Sequence, residues 1–160
     1  MGKYLLLFFL NISFSYLHAQ TNFTTPEILG EKTFDAIKNI DLETFIKFAI
    51  NETDKKELLE KIKPEEKKEA GDVMSYYMYK WKYDGDKAIN DLHRIGREKG
   101  VDWKKATFEK VEYEIIEREG MQKADIYILF KSENSPYKIK LDDCRPTSRG
   151  WILIDDVTFR

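Results

Sequence analysis

Residues 111–142, VEYEIIEREGMQKADIYILFKSENSPYKIKLD, decide the fold class of this chain. Apolar residues alternate with charged ones at the start of the stretch, in Val111, Tyr113 and Ile115, and again at its end. A period of two is typical of β-strands that bury one face. Between these two segments, residues 124–130 are apolar on both faces apart from one aspartate, and they predict a further strand.

Short turns separate these strands. Residues 118–120 and 132–136 contain the Gly, Asn, Ser and Pro residues that favour turns. Another turn at 146–150 precedes the apolar segment 151–159, which predicts a fourth strand. Four consecutive strands joined by short turns predict an antiparallel meander.

The chain before the meander has a helical period. Thr25 and Pro26 predict the start of a first helix, and Asp41 predicts the cap of a second. Asp54 is the predicted cap of a short third helix that ends before Pro64. The predicted buried faces of the first two helices contain Leu29, Thr33, Ala36, Ile37 and Ile40, and Leu42, Phe45, Ile46 and Ala49.

Residues 64–83 fit two patterns. Their aromatic residues alternate from Tyr77 to Tyr83 as in a strand, but the helical template places more apolar residues in one sector, so we predict a helix. The sequence Asp-Gly-Asp at 84–86 predicts the end of this helix. A further helical segment should follow and end at Gly100.

Helices followed by a meander predict a single α+β domain, residues 20–160, with N-terminal helices packed on a curved four-stranded antiparallel sheet. The formal net charge of −2 is too small to favour binding to nucleic acid or to an anionic membrane surface. Cys144 is the only cysteine, so no internal disulfide can form and the hydrophobic core must hold the fold.

Residues 1–19 have the order of charge, apolar run and small residue that is typical of a secretory signal peptide. The apolar run from Tyr4 to Leu17 is too short to span a bilayer core comfortably, which takes roughly 20 residues. We therefore expect cleavage after Ala19 and an exported protein, periplasmic or extracellular, with no membrane span after processing. Retention as a membrane anchor is the alternative.

Two framework segments resemble a known superfamily. Residues 36–45, AIKNIDLETF, are similar to the opening helix-break-helix of the nuclear transport factor two-like superfamily, and residues 150–157, GWILIDDV, are similar to its ending. That superfamily has a cone-shaped α+β fold and includes ketosteroid isomerase and many small exported proteins of unassigned role. The resemblance implies a cone-like fold but no particular activity, because one fold hosts many functions. The chain departs from the superfamily pattern after the second helix, where extra helical length replaces a short hairpin.

Established catalytic motifs are absent from the sequence, and we expect neither a cofactor nor a metal site. His93 is a candidate general base or metal ligand, although its position beside Leu92 on an apolar helical face favours a structural role. Cys144 would need a nearby base and a lowered pKa to act as a nucleophile. Asp142 and Asp143 are adjacent on a strand and should point to opposite faces, which disfavours a shared metal ion.

Two other aspartates are candidate catalytic residues. Asp143 is in phase with the inward-facing residues of the third strand, and Asp155 is in phase with those of the fourth. A carboxylate on a core-facing phase is costly unless it is paired or lines a wet cavity, so either residue could serve as a general base inside the cone. The alternative is that both lie at solvated strand ends or that a bulge shifts the phase.

Tyr76, Tyr79 and Tyr83 recur at steps of three and four on the side of their helix opposite the apolar sector. A row of tyrosines with polar tips suits a ligand-binding or partner-binding surface. The alternative is that a second layer of the same domain buries them.

These observations favour an exported, non-enzymatic binding module for a small ligand or a protein partner. Alternatives are a small isomerase or hydrolase that uses Asp143 or Asp155, and an immunity or inhibitor protein. A homodimer through the sheet is also predicted, because outward residues such as Tyr127 and Leu129 on the second strand, and Ile152 and Ile154 on the last, are apolar and need cover.

Overall fold

The computed structural model describes residues 24–118 and 120–160. The predicted signal peptide, residues 1–19, and the start of the predicted domain lie outside the described residues. The described chain is α+β, as predicted, with helices packed on an open antiparallel sheet. Its elements are α1 (Pro26–Asn39), α2 (Leu42–Phe48), α3 (Glu52–Glu60), α4 (Lys67–Glu98), β1 (Ala106–Arg118), β2 (Met121–Ser132), β3 (Ser135–Thr147), β4 (Gly150–Leu153) and β5 (Val157–Phe159).

The sheet is the predicted meander, in the order β1-β2-β3-β4, with β5 pairing to β3 beyond the end of β4. The predicted fourth strand, 151–159, is therefore divided in two. The division accompanies a bulge in β3, where Asp142 and Asp143 together oppose Asp125, and Asp143 has a left-handed φ of 48°. A bulge bends its strand and interrupts regular pairing, so the neighbouring strand also breaks at this level.

The first two helices begin where the sequence predicts. The Thr25 hydroxyl accepts a hydrogen bond from the backbone N–H of Ile28 at 3.4 Å, and the Asp41 carboxylate accepts one from Thr44 at 3.0 Å. Ile40 was predicted to be on the buried face of the first helix, and this is wrong. It is 45% exposed because it ends α1 in a left-handed conformation with a φ of 52°, which turns it away from the helical face.

The third helix begins earlier than predicted. Asn51, not Asp54, is its N-cap, and the Asn51 side chain accepts hydrogen bonds from the backbone N–H groups of Thr53 and Asp54. Asp54 is the third helical residue, and its carboxylate accepts a hydrogen bond from the Asn51 backbone at 2.9 Å. These reciprocal bonds form a capping box, in which the acidic residue lies inside the helix.

Residues 67–98 form one continuous helix, which confirms the helical interpretation of this region but contradicts the predicted break at 84–86. Gly85 is buried against α2, and a Cβ atom built there would lie 3.4 Å from Ile46. A glycine costs a helix about 1 kcal/mol, which the burial of Trp81 and Ile89 on either side exceeds. The predicted end at Gly100 is confirmed by its φ of 94°.

The space between the helices and the inner face of the sheet is filled with side chains. Phe130 of β2 packs against Phe34 of α1 and against Trp103, with ring centroids 5.2 and 5.5 Å apart. Phe45 of α2 meets the edge of Trp81, whose indole N–H donates to the Ile154 carbonyl at 3.0 Å. This interior is an apolar core.

Ile152 and Ile154 are 0% and 2% exposed, so the chain itself covers the last strand on both faces. The predicted need for a second copy to cover these two residues is therefore wrong. On the outer face of β2, Tyr127 and Leu129 are half-buried, and the Lys138 ammonium lies 5.1 Å from the centre of the Tyr127 ring. Self-association through the sheet stays a prediction that rests on Tyr127 and Leu129 alone.

Across residues 24–118 and 120–160, no helix combines the length and the apolar character needed to cross a membrane.

Candidate functional site

The three tyrosines of the predicted binding surface lie on the outer face of α4. Tyr76, Tyr79 and Tyr83 are 62%, 63% and 56% exposed. No second layer covers them within the described part of the chain, so the alternative of burial does not apply there. Exposed aromatic rings on a rigid helix are unusual enough to mark a contact surface.

A cleft of about 620 Å³ lies beside Tyr79 and Tyr83, between α4 and the segment that joins α2 to α3. Tyr76 is not among its lining residues. The apolar part of the lining consists of Ile46, Ala49, Ile50, Met78, Tyr79, Trp81 and Tyr83. The polar part consists of Lys47, Asn51, Glu52, Ser75, Lys82 and Arg149.

Arg149 fixes the wall of the cleft opposite α4. Its guanidinium donates to both carboxylate oxygens of Asp54, at 2.9 and 2.5 Å, and Asp54 is fully buried. It also donates to the backbone carbonyls of Lys47 and Ala49, at 2.9 and 3.1 Å. These bonds use four of the five N–H groups of the guanidinium, so Arg149 shapes the cleft.

The two tyrosine rings in the cleft pack against each other. Their centroids are 4.5 Å apart and the ring planes are inclined by 39°. The Lys82 ammonium lies 5.1 Å from the centre of the Tyr83 ring, a cation–π contact. Neither tyrosine hydroxyl makes a hydrogen bond to another described residue, so both are available to a ligand.

The charges around the cleft are balanced. Lys47 pairs with Glu43 at 2.8 Å, and Arg149 pairs with Asp54. Of the remaining lining residues, Lys82 is cationic and Glu52 is anionic, and neither forms an ion pair within the described residues. The cleft thus has no excess of either sign, and its chemistry is that of an aromatic surface edged by hydrogen-bonding groups.

Asp143, the first candidate general base, is paired with Arg145. The guanidinium donates to the two carboxylate oxygens at 3.0 and 2.9 Å, and the side chains are 25% and 19% exposed. The bulge in β3 changes the phase at Asp143, which was the alternative considered from the sequence. A smaller cleft of about 300 Å³ adjoins the pair and is lined in part by Val73, Met74 and Ile154.

Asp155, the second candidate, lies in the break between β4 and β5. Its carboxylate accepts a hydrogen bond from the Tyr77 hydroxyl, and this bond raises the pKa of Tyr77 well above its usual value. The neighbouring Asp156 forms an ion pair with Lys80 of α4. Asp143 is therefore paired within β3, whereas Asp155 connects the break after β4 to α4.

The remaining sequence candidates, His93 and Cys144, are buried in the core. The His93 ring stacks on Trp103, with centroids 4.5 Å apart, and its Nε2 lies 3.2 Å from the Lys38 carbonyl. Burial lowers the pKa of His93 and raises the pKa of the Cys144 thiol, which is completely buried. In the part of the chain that the structure describes, no group of three or more His, Cys, Asp or Glu residues is arranged to hold a metal ion.

The sequence pattern identified one wall of the cleft, the tyrosines of α4, and missed the other. The opposite wall depends on Arg149 in the β3–β4 turn reaching Asp54 in α3, a contact between residues 95 positions apart. No local period signals such a contact. An arginine in a turn and an acidic residue in a capping box are each explained locally.

In comparisons with known proteins, no family model, no curated protein and no solved structure matches the chain. The resemblance to the nuclear transport factor two-like superfamily thus stays a prediction, and the geometry of the cleft is the basis for a functional proposal.

Proposed function

We propose that this protein is an exported, non-enzymatic binding module that takes a small ligand in the cleft beside Tyr79 and Tyr83. The observation that carries the proposal is the pair of exposed, adjoining tyrosine rings at the edge of an apolar cleft. The export component rests on residues 1–19 alone. The same proposal includes membership of the nuclear transport factor two-like superfamily, and the α+β layering of the chain supports it.

The size and lining of the cleft favour a small ligand. Ligand sites in proteins occupy about 300–1,000 Å³ and combine apolar surfaces with a few polar groups. The cleft of about 620 Å³ meets both conditions. Its walls are fixed before a ligand arrives, because α4 is a continuous helix and Arg149 ties the opposite segment to Asp54. A preformed site avoids part of the ordering cost of binding.

The enzymatic alternative has weaker support. A general base needs a carboxylate that is free to accept a proton from a substrate, whereas Asp143 is bound by Arg145 and Asp155 by Tyr77. If Asp143 faced a dry cavity, Asp143→Asn would raise the melting temperature at pH 8 and not at pH 4. We expect no such gain, because the ion pair with Arg145 would be lost.

Protein-observed NMR with a fragment library tests the proposed function without a choice of ligand. We expect hits that shift the backbone amide signals of residues 50–52 and 75–83, with dissociation constants of about 0.1–10 mM. Tyr79→Ala and Tyr83→Ala should each abolish these shifts. Tyr76→Ala is the matched control, since Tyr76 is an equally exposed tyrosine on the same helix but outside the cleft.

Fragments that bind only at the smaller cleft of Asp143 and Arg145 would contradict the proposal. Amide shifts that persist in both Tyr79→Ala and Tyr83→Ala would contradict it too. The absence of any hit in the library would contradict it as well.

A further inference from the structure

We infer that the ligand class of this cleft is a neutral saccharide, bound with a ring face against Tyr79 and Tyr83 and with its hydroxyl groups on the surrounding polar residues. This inference rests on the proposed function, because it concerns the same cleft.

Charge is the first reason. Lys47 and Arg149 are neutralised by Glu43 and Asp54, and Lys82 is balanced by Glu52 across the same cleft. A phosphate or carboxylate ligand would be attracted by Lys82 but repelled by Glu52. A cationic ligand would be attracted by Glu52 but repelled by Lys82. A neutral ligand encounters neither penalty, so electrostatic complementarity favours it.

The aromatic surface is the second reason. The face of an aromatic ring carries partial negative charge, and it attracts groups that carry partial positive charge. The C–H groups of a sugar ring are polarised in this sense because each carbon bears an oxygen. Tyr79 and Tyr83 are 63% and 56% exposed, so parts of both rings are open to a sugar ring, while their centroid distance of 4.5 Å shows that the two rings also partly cover each other.

Hydrogen bonding is the third reason, and it separates a saccharide from an apolar or proline-rich ligand. The groups available around the rings include donors and an acceptor: the Lys82 ammonium, the Glu52 carboxylate and the hydroxyls of Tyr79 and Tyr83. Asn51 uses its carbonyl oxygen in the cap of α3, so its amide N–H groups are also available. Sugar hydroxyls both donate and accept, and can satisfy all of these groups. A proline-rich chain has few N–H donors, so it pairs less completely with the Glu52 carboxylate than a saccharide does.

The test uses residues 20–160 and four neutral oligosaccharides, cellohexaose, maltohexaose, mannohexaose and hexa-N-acetylchitohexaose, with oligogalacturonate as the anionic comparison. Binding is followed by tryptophan fluorescence, since Trp81 lines the cleft, and by amide shifts. We expect at least one neutral oligosaccharide to bind with a dissociation constant of about 10 μM–1 mM and to shift residues 75–83. Tyr79→Ala and Tyr83→Ala should each weaken that binding about tenfold or more, and Tyr76→Ala should leave it within about twofold.

The outcomes distinguish this inference from the proposed function. If fragments bind the cleft but none of the neutral oligosaccharides shifts it at about 10 mM, the saccharide inference is overturned and the proposed function stands. Tighter binding of oligogalacturonate than of every neutral oligosaccharide also overturns the inference. Saccharide binding that Tyr76→Ala weakens as much as Tyr79→Ala does would place the contact outside the cleft and overturn both.

Discussion

The imidazole of His93 is stacked on Trp103 and 7% exposed, so its neutral form is favoured in the folded protein. Burial is the largest cause that lowers the pKa of His93, the charge of Arg97 adds to it, and the hydrogen bond with the Lys38 carbonyl opposes it. The folded-state pKa of His93 is therefore lower than its unfolded value of about 6.5, and the unfolded chain binds the extra proton first.

From this follows a pH dependence of stability. As pH falls through about 6.5, His93 is protonated in the unfolded state but stays neutral in the folded state. The free energy of unfolding should therefore decrease. In thermal melts between pH 7.5 and 5.5, the melting temperature should drop for the wild type and change less for His93→Gln. An equally steep drop in the variant would show that other groups cause it.

The helices and strands show what a local pattern can and cannot predict. Thr25 and Asp41 are predictable as caps because a cap is a contact within three residues along the chain. The break predicted at residues 84–86 is absent because tertiary packing against α2 outweighs the low helix propensity of Gly85. The bulge at Asp142 and Asp143 depends on register with Asp125, which a single strand does not reveal.

Gly85 and Gly96, both buried in α4, should respond oppositely to alanine. A Cβ at Gly85 would lie 3.4 Å from Ile46, an ordinary contact, so Gly85→Ala should raise the free energy of unfolding by up to about 1 kcal/mol through helix propensity. A Cβ at Gly96 would lie 2.5 Å from the Trp103 ring, so Gly96→Ala should lower it by about 1–3 kcal/mol. Urea unfolding of the two variants measures both effects, and equal signs would contradict the packing described for α4.

The ion pair of Arg149 and Asp54 joins the β3–β4 turn to α3, so its loss should affect both stability and the cleft. Arg149→Met leaves a fully buried carboxylate without its cation, and we expect a loss of about 3 kcal/mol in the free energy of unfolding. Lys47→Met removes a solvent-exposed pair at the same cleft and is the control, with no measurable change expected. A similar stability for the two variants would show that the buried pair does not hold the wall.

At the scale of the whole molecule, the first described helix begins well after the predicted cut. Its N-cap is Thr25, whereas cleavage is predicted after Ala19, so the cut removes none of the described contacts. Residues 20–160 should therefore melt at the same temperature as the full chain.

Intact-mass measurement of the protein from its native host should give a chain that starts at Gln20, because the apolar run from Tyr4 to Leu17 is signal-like and short for a membrane span. Recovery of the full-length chain in the membrane fraction would instead make that run an anchor, and the cleft would then face its ligand from a membrane surface.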